Sequence, residues 1–263
     1  MADNTKTIDV SGAKLEIKWV GPRHTEDSSM RVSLHEGLGC VEMWRKFPQI
    51  LSERVGLPAV IFSSQGYGKS DPTLLPRPKG FTHNEGLIVL PKVLDAVGIT
   101  RANLIGHSDG GSISIINASG VQDPRMEAIV LLAAHVFFEN VTLNRIEEAK
   151  VAFQISDLRN RLAKYHGDNV DCAFWDWNRI WLNPKFQDRN IEEYLPHINV
   201  PTLVIQGKED QYGTEAQVTA IQEGIGNNIQ VSIMAECQHS PHFDQQEKTL
   251  DRISHFLEGL PPC

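Results

Sequence analysis

The sequence predicts an α/β protein with a mostly parallel, doubly wound sheet and an inserted helical segment. Short apolar runs recur along the chain, and each has the length of a strand that is covered on both faces. They occupy residues 31–35, 58–62, 102–107, 127–133, 201–207 and 228–234. Helical patterns separate them, at residues 41–56, 83–98, 111–120, 214–226 and 245–260. Because strands and helices alternate, parallel strands with helices on both faces are expected.

Two segments depart from this alternation. Residues 6–21 alternate apolar and polar side chains around Ser11-Gly12, which predicts an antiparallel hairpin. Residues 136–196 have helical patterns and an aromatic cluster at 173–181. We therefore expect a core of residues 1–135 and 197–263. Residues 136–196 are expected to form a helical cap over the carboxyl ends of the strands, where α/β sheets bind ligands.

Composition restricts the class of protein. The 263 residues are 41% hydrophobic and carry a formal net charge of −8, which disfavours nucleic acid and anionic membranes as partners. The first residues do not read as a signal peptide, and no apolar run approaches the ~20 residues of a membrane span. The cysteines at 40, 172, 237 and 263 lack a paired spacing, so reduced thiols are expected. We expect a soluble cytoplasmic protein that acts on a small molecule, and a homodimer is compatible with this interpretation.

One serine stands in a glycine-rich turn between a predicted strand and a predicted helix. Residues 106–110 read Gly-His-Ser-Asp-Gly. Glycines on both sides let the strand and helix approach closely, and such a tight turn exposes the hydroxyl of Ser108. The alternative is that Ser108 caps the helix, a role that serine favours. A nucleophilic serine also needs a base and a group that orients the base.

The base and the group that orients it are expected in the loops that follow the later strands. Asp210 follows the strand that ends at Gly207, and Glu209 is the alternative acid; either could instead be a solvated loop residue or a helix cap. His239 follows the last strand and is the predicted base, whereas His242 is expected to cap or pack. The His-x-x-His spacing alone does not predict a metal, since zinc sites need at least three protein ligands.

The order Ser108, Asp210, His239 resembles that of the α/β-hydrolase fold superfamily, in particular single-domain serine hydrolases with a helical cap. The resemblance extends over nearly the whole chain, from the first hairpin to the last helix. It implies a catalytic triad in which Asp210 orients His239, and His239 deprotonates Ser108. It also implies an acyl-enzyme mechanism that needs neither a metal nor an organic cofactor.

The resemblance further implies an oxyanion hole. One donor would be the backbone N–H of Asp109, and the other would be that of Gly37, in the loop after the strand at 31–35. Many relatives read His-Gly in this loop, whereas this chain places Glu36 between the two residues. Leu38 is therefore the alternative donor. Glu36 either contacts the substrate or pairs locally, and local pairing is favoured because an unpaired buried charge is costly.

Aromatic side chains suggest the kind of substrate. Trp177 and Trp181 of the insertion, with Phe137 or its neighbour Phe138, are predicted to line an apolar or aromatic pocket, although such a stripe can also be packing. His135 could bond a ligand or cap a strand, and it stays unassigned.

The predicted function is hydrolysis of carboxylic esters or lactones of small apolar or aromatic substrates. Carbon–carbon bond hydrolysis of ring-cleavage diketones, a triad-bearing small-ligand receptor and cofactor-free oxygenation remain open, since one fold hosts many functions. Dehalogenases and epoxide hydrolases are disfavoured because their nucleophile is an aspartate at the position of Ser108.

Overall fold

The computed structural model describes residues 5–25 and 28–260, and it contains an eight-stranded sheet. The strands are β1 (Thr5–Val10), β2 (Ala13–Val20), β3 (Met30–Leu34), β4 (Ala59–Phe62), β5 (Ala102–His107), β6 (Met126–Leu132), β7 (Thr202–Gly207) and β8 (Ile229–Met234). Their order is β1-β2-β4-β3-β5-β6-β7-β8. Strand β2 pairs antiparallel with β1 and β4, and the pairs from β4 through β8 are parallel. The predicted mostly parallel sheet is confirmed.

The hairpin forms at the predicted turn. Val10 pairs with Ala13, which leaves Ser11 and Gly12 as the two turn residues. Both have positive φ, 58° and 85°, as the tight turn of a two-residue hairpin requires. The glycine therefore occupies a position that the backbone twist of the two strands demands.

The helices flank the sheet and fill the segment between β6 and β7. They are α1 (Phe47–Val55), α2 (Phe81–Asn84), α3 (Leu90–Ala96), α4 (Asp109–Gly120), α5 (Asn140–Ile155), α6 (Leu158–His166), α7 (Val170–Trp181), α8 (Glu215–Ile225), α9 (Pro241–Asp244) and α10 (Gln246–Glu258). Among the described residues, no helix has both the length and the apolar composition that crossing a membrane requires.

Two helices predicted as continuous are interrupted. Residues 41–56 divide into a 3₁₀ turn and α1, because the backbone of Arg45 has a φ of 54°. In residues 83–98, a π-helical turn over Glu85–Val89 joins α2 to α3. Pro91 has no N–H to donate to the preceding turn, and the wider turn accommodates its ring.

Apolar clusters cover both faces of the sheet. Leu104 and Ile129 belong to a cluster shared with α3, α4 and α8, whereas their neighbours Ile105 and Val130 belong to one shared with α1 and α10. Successive strand residues point to opposite faces, so each central strand must be apolar on both. Each such fully buried side chain contributes about 1.5–3 kcal/mol to folding. Because apolar side chains and helices cover both faces of the sheet, polar side chains gather at the edge where the carboxyl ends of the strands lie.

The segment between β6 and β7 has its own apolar cluster. It contains α5, α6, α7 and 3₁₀ turns at Pro184–Phe186 and Glu192–His197. The rings of Phe153 and Phe174 stack face to face, with centroids 3.7 Å apart. We call residues 136–196 the helical insertion. Its α7 carries a buried tryptophan face, which lies against the residues that follow β3 and β5.

Candidate active site

Ser108 occupies a strained turn between β5 and α4. Its backbone has φ 54° and ψ −115°, a conformation that non-glycine residues rarely adopt. The turn is tightly packed: a Cβ on Gly106 would lie 2.3 Å from the carbonyl oxygen of Gly110, and a Cβ on Gly110 would lie 2.2 Å from that of Leu34. Within the described structure, the Ser108 hydroxyl makes no capping hydrogen bond to α4, so the N-cap alternative is wrong.

The structure brings Ser108, His239 and Asp210 together. Ser108 Oγ lies 3.0 Å from His239 Nε2, and His239 Nδ1 lies 2.9 Å from each carboxylate oxygen of Asp210. The three residues follow β5, β8 and β7, whose carboxyl ends meet at one edge of the sheet. Glu209, the alternative acid, accepts a hydrogen bond from the Cys237 amide at 2.9 Å. The structure therefore places Asp210, and not Glu209, behind the imidazole.

Asp210 is held as a carboxylate. It accepts hydrogen bonds from Gln206 Nε2 and from the Tyr212 amide, both at 2.7 Å. Burial raises the pKa of Asp210, but the hydrogen bonds and charge of its partners outweigh this and leave the pKa below its ordinary value. A carboxylate at this position accepts the Nδ1–H of His239. The Nε2 lone pair then faces the hydroxyl of Ser108.

A second imidazole contacts the same hydroxyl. His135 Nε2 lies 3.1 Å from Ser108 Oγ. Burial, together with the positive charge of Arg189, holds the pKa of His135 well below its ordinary value, so the ring is neutral. Because the hydroxyl proton points to His239, we assign the Nε2–H of His135 as a donor to Ser108 Oγ. His135 is a polar residue shortly after the end of β6. Its position was the only sign in the sequence that it could reach this edge.

The loop after β3 lies beside the turn of Ser108. A Cβ on Gly37 would lie 2.2 Å from Trp177 Cδ1 and 2.9 Å from Asp109 Oδ2. The Gly39 amide donates to the Glu36 carbonyl at 2.8 Å, so Gly37 and Leu38 occupy the corner of a turn. Asp109 is the first residue of α4, where backbone N–H groups have no partner within the helix. The predicted pair Gly37 and Asp109 are therefore neighbours next to Ser108.

Glu36 pairs locally. Its carboxylate lies 3.3 Å from His107 Nδ1, and His107 Nε2 donates to the backbone carbonyl of His239 at 2.8 Å. Burial opposes both charges, but the hydrogen bond between them raises the pKa of His107 and lowers the pKa of Glu36. An imidazolium can donate from both nitrogens. The pair thus connects the Gly37 loop to the backbone that carries His239.

Both predicted tryptophans reach this region. Trp181 Nε1 donates to Asp109 Oδ2 at 3.4 Å, and its ring meets the His135 ring edge-on with centroids 5.2 Å apart. Trp177 lies against Gly37, as described above. Phe138 lies next to Trp181, and the two rings stack with centroids 6.2 Å apart.

Phe137 packs in a different apolar cluster from Phe138, and its assignment as a substrate contact stays a prediction. It packs against the main core cluster, and its carbonyl accepts a hydrogen bond from Gln217 Nε2 at 3.1 Å. An isolated antiparallel bridge pairs Phe137 with Asn190. In extended backbone, successive side chains point to opposite sides, so Phe138 faces the insertion while Phe137 faces the core.

The second histidine of the His-x-x-His pair packs, as the sequence suggests. The His242 ring is buried, with its centroid 5.0 Å from that of Trp44 and 5.5 Å from that of Phe47. Across the ranges that the structure describes, no group of three or more His, Cys, Asp or Glu side chains is placed to hold a metal ion.

Comparison with known proteins places this geometry in a family. The profile of the family described as alpha/beta hydrolase fold matches residues 32–185, more than half of the chain. The 2-hydroxy-6-oxononadienedioate/2-hydroxy-6-oxononatrienedioate hydrolase 1 of Dechloromonas aromatica is similar, with 23% identity over 254 residues, covering 86% of each protein. A Caulobacter segnis protein, named provisionally as a carbamate hydrolase, is 31% identical over 101 residues. That match spans 38% of this chain and only 36% of the relative.

A solved structure agrees in fold. The enol-lactonase from Burkholderia xenovorans LB400 superposes with a TM-score of 0.75 at 20% identity, and the alignment covers 96% of this chain and 100% of that one. Identity at this level shows the fold alone, whereas the family profile also matches the sequence from β3 into the insertion. The chain therefore belongs to the α/β hydrolase fold family.

Proposed function

We propose that this protein is a serine hydrolase that cleaves esters or lactones of small apolar or aromatic carboxylic acids through an acyl-enzyme on Ser108. The observation that carries the proposal is the contact of 3.0 Å between Ser108 Oγ and His239 Nε2, with Asp210 behind the imidazole at 2.9 Å. A serine hydroxyl is a weak nucleophile until a base removes its proton. The Nε2 of His239 is in position to do so.

Acylation begins when Ser108 Oγ attacks the carbonyl carbon while His239 accepts the hydroxyl proton. The carbonyl oxygen becomes an oxyanion, and the N–H groups of Asp109 and Gly37 are the donors that we assign to it. His239, now an imidazolium held by Asp210, donates the proton to the leaving alcohol oxygen as the carbon–oxygen bond breaks. The acyl group is then attached to Ser108.

Deacylation repeats these steps with water as the nucleophile. His239 removes a proton from the water, the hydroxide adds to the acyl carbon, and the same N–H groups stabilise the second oxyanion. Collapse returns the proton to Ser108 Oγ and releases the carboxylic acid. The rings of Trp177, Trp181 and Phe138, which lie beside Gly37, Asp109 and each other, support an apolar or aromatic substrate.

The proposal is tested by active-site labelling and turnover. A fluorophosphonate probe should modify Ser108, as located by peptide mass spectrometry, and p-nitrophenyl esters of graded acyl length should be hydrolysed. Ser108→Ala should abolish both. Ser119→Ala, near the far end of α4, is the matched control and should retain both. Labelling at another residue, or turnover that survives Ser108→Ala, would exclude the acyl-enzyme mechanism.

Carbon–carbon bond hydrolysis is the second candidate. It is favoured by the relative from Dechloromonas aromatica, whose similarity covers 86% of this chain. A 2-hydroxy-6-oxo-dienoate absorbs visible light, so its cleavage can be followed by loss of colour in parallel with the ester assay. If kcat/KM for the dienoate is far above that for every ester, carbon–carbon bond hydrolysis replaces ester cleavage as the proposed activity.

A further inference from the structure

Arg189 is a buried cation without a hydrogen-bond partner for its side chain. It is 9% exposed, and its Nε, Nη1 and Nη2 atoms contact no acceptor among the residues that the structure describes. It lies where the helical insertion returns to the core, next to the bridge between Phe137 and Asn190. The backbone around it is anchored, since the Arg189 amide donates to the Phe186 carbonyl at 2.9 Å.

Aromatic contacts do not satisfy this side chain. The guanidinium carbon lies 5.8 Å from the ring centroid of Trp181 and 5.7 Å from that of Phe186. An aromatic ring attracts a cation but accepts few of the five N–H groups that a guanidinium directs outward in its own plane. A buried charge with unpaired donors is unfavourable for folding. A buried guanidinium under these conditions indicates a ligand that supplies the missing acceptors.

Arg189 faces the candidate active site. Trp181, whose ring it contacts, also donates to Asp109 and meets the His135 ring. Burial raises the pKa of the Asp109 carboxyl, and the largest opposing influence is the positive charge of Arg189. Asp109 Oδ1 accepts no hydrogen bond in the described ranges; it lies 3.9 Å from His135 Nε2, and no ion pair joins it to Arg189 there. A guanidinium and a carboxylate oxygen that both lack hydrogen bonds therefore flank Ser108 on the Trp181 side.

We propose that Arg189 binds a free carboxylate on the acyl part of the substrate, so that the preferred substrates are half-esters or lactones derived from dicarboxylic acids. This inference rests on the proposed ester or lactone hydrolysis. A guanidinium matches a carboxylate with two parallel N–H···O hydrogen bonds. The acyl side is assigned because the leaving alcohol must lie next to His239 to receive its proton, whereas Arg189 approaches from Trp181 and Asp109.

Two esters of equal acyl length test the inference kinetically. Mono-4-nitrophenyl glutarate carries a free carboxylate, and 4-nitrophenyl pentanoate ends in a methyl group. The ratio of their kcat/KM values should favour the glutarate at least tenfold in the unaltered protein. In Arg189→Met that ratio should fall at least tenfold, and in Arg189→Lys it should fall less. Arg179→Met removes an exposed cation from α7 and should leave the ratio unchanged.

Binding without turnover separates this inference from the proposed function. In a Ser108→Ala background, calorimetry should show that monomethyl glutarate binds at least tenfold more tightly than methyl pentanoate. The added Arg189→Met change should remove the difference. If neither ester is hydrolysed but this binding difference is found, the ester-hydrolase proposal fails and the carboxylate site stands.

Stability provides a further readout that requires no ligand. Since Arg189→Met replaces an unpaired buried charge with an apolar side chain of similar length, its melting temperature should equal or exceed that of the unaltered protein. Equal binding of the two methyl esters, or an unchanged kinetic ratio in a folded Arg189→Met protein, would overturn the carboxylate site.

Discussion

His135 Nε2 contacts Ser108 Oγ at 3.1 Å, nearly the same distance as the 3.0 Å that separates this oxygen from His239 Nε2. The two imidazole rings lie almost parallel, at 11°, with centroids 5.9 Å apart. The Asp210 carboxylate lies 2.9 Å from His239 Nδ1 and so directs the Nε2 lone pair of His239 to the hydroxyl, whereas the Asp109 carboxylate lies 3.9 Å from Nε2 of His135. The neutral His135 is suited to holding the oxygen of Ser108 by donating a hydrogen bond.

Removing this donor should slow the reaction moderately. We expect His135→Ala to lower kcat about fivefold, because a neutral hydrogen bond contributes about 1 kcal/mol. His135→Gln offers an amide donor and should lose less. Ester turnover measures both variants, and fluorophosphonate labelling should still occur at Ser108. A loss in His135→Ala as large as that in His239→Ala would instead make His135 a base.

The choice between the two acids after β7 can be tested directly. Asp210→Asn should reduce kcat by about 10³–10⁴-fold, because an amide favours the wrong tautomer of His239 and does not stabilise the imidazolium. Glu209→Gln is the matched control, since Glu209 accepts from the Cys237 amide, and it should change kcat less than tenfold. The reverse order of the two effects would move the orienting role to Glu209.

The space at Gly37 is restricted mainly by the side chain of Trp177. A Cβ there would lie 2.2 Å from Trp177 Cδ1, so Gly37→Ala should displace the loop and lower kcat about 100-fold through the lost oxyanion donor. In a Trp177→Ala background the same change should cost less activity and less thermal stability, because the closest clash is gone and only the 2.9 Å approach to Asp109 Oδ2 remains.

Gly80 provides the control for this prediction. An added Cβ there meets nothing within 4 Å in the described structure, so Gly80→Ala should retain activity. If Gly37→Ala has the same effect with and without Trp177, the clash is not its cause.

Acid should destabilise the protein through buried His166. Its Nδ1 accepts from the Gly68 amide at 2.9 Å, and its Nε2–H donates to the Leu38 carbonyl at 3.0 Å, so there is no acceptor for a second proton. Burial lowers the pKa of His166 from 6.5 to about 4. As the pH falls from about 6.5 towards 4, the unfolded chain therefore binds a proton at His166 that the folded chain does not bind. The free energy of unfolding should decrease by up to about 3 kcal/mol over this range.

Melting temperatures between pH 7 and pH 4.5 measure this effect. The decrease should be smaller in His166→Gln, whereas replacing the exposed His255 by Gln should leave it unchanged. Some decrease should remain in His166→Gln, because burial also lowers the pKa of His242. An equal decrease in the unaltered protein and in His166→Gln would contradict the assignment.

The elements of the fold could be predicted because their signals are local. A strand buried on both faces is a short apolar run, and the observed strands differ from the predicted runs by at most one residue at either end. Helix interruptions were harder to foresee, since the positive φ of Arg45 depends on packing around it. The turn at Ser108 could be predicted from the sequence, because glycines at fixed spacings are needed where a strand and a helix pack closely.

The sequence by itself determined the family, the alternation of strands and helices, and the order of serine, aspartate and histidine after β5, β7 and β8. Tertiary structure alone decided that His135 shares the hydroxyl of Ser108, that Phe138 and not Phe137 meets Trp181, and that Arg189 is buried. The physical reason is that periodicity places a residue on an element. Which side chains share a pocket depends on where the insertion crosses the sheet edge, and that is set by contacts between residues far apart in the chain.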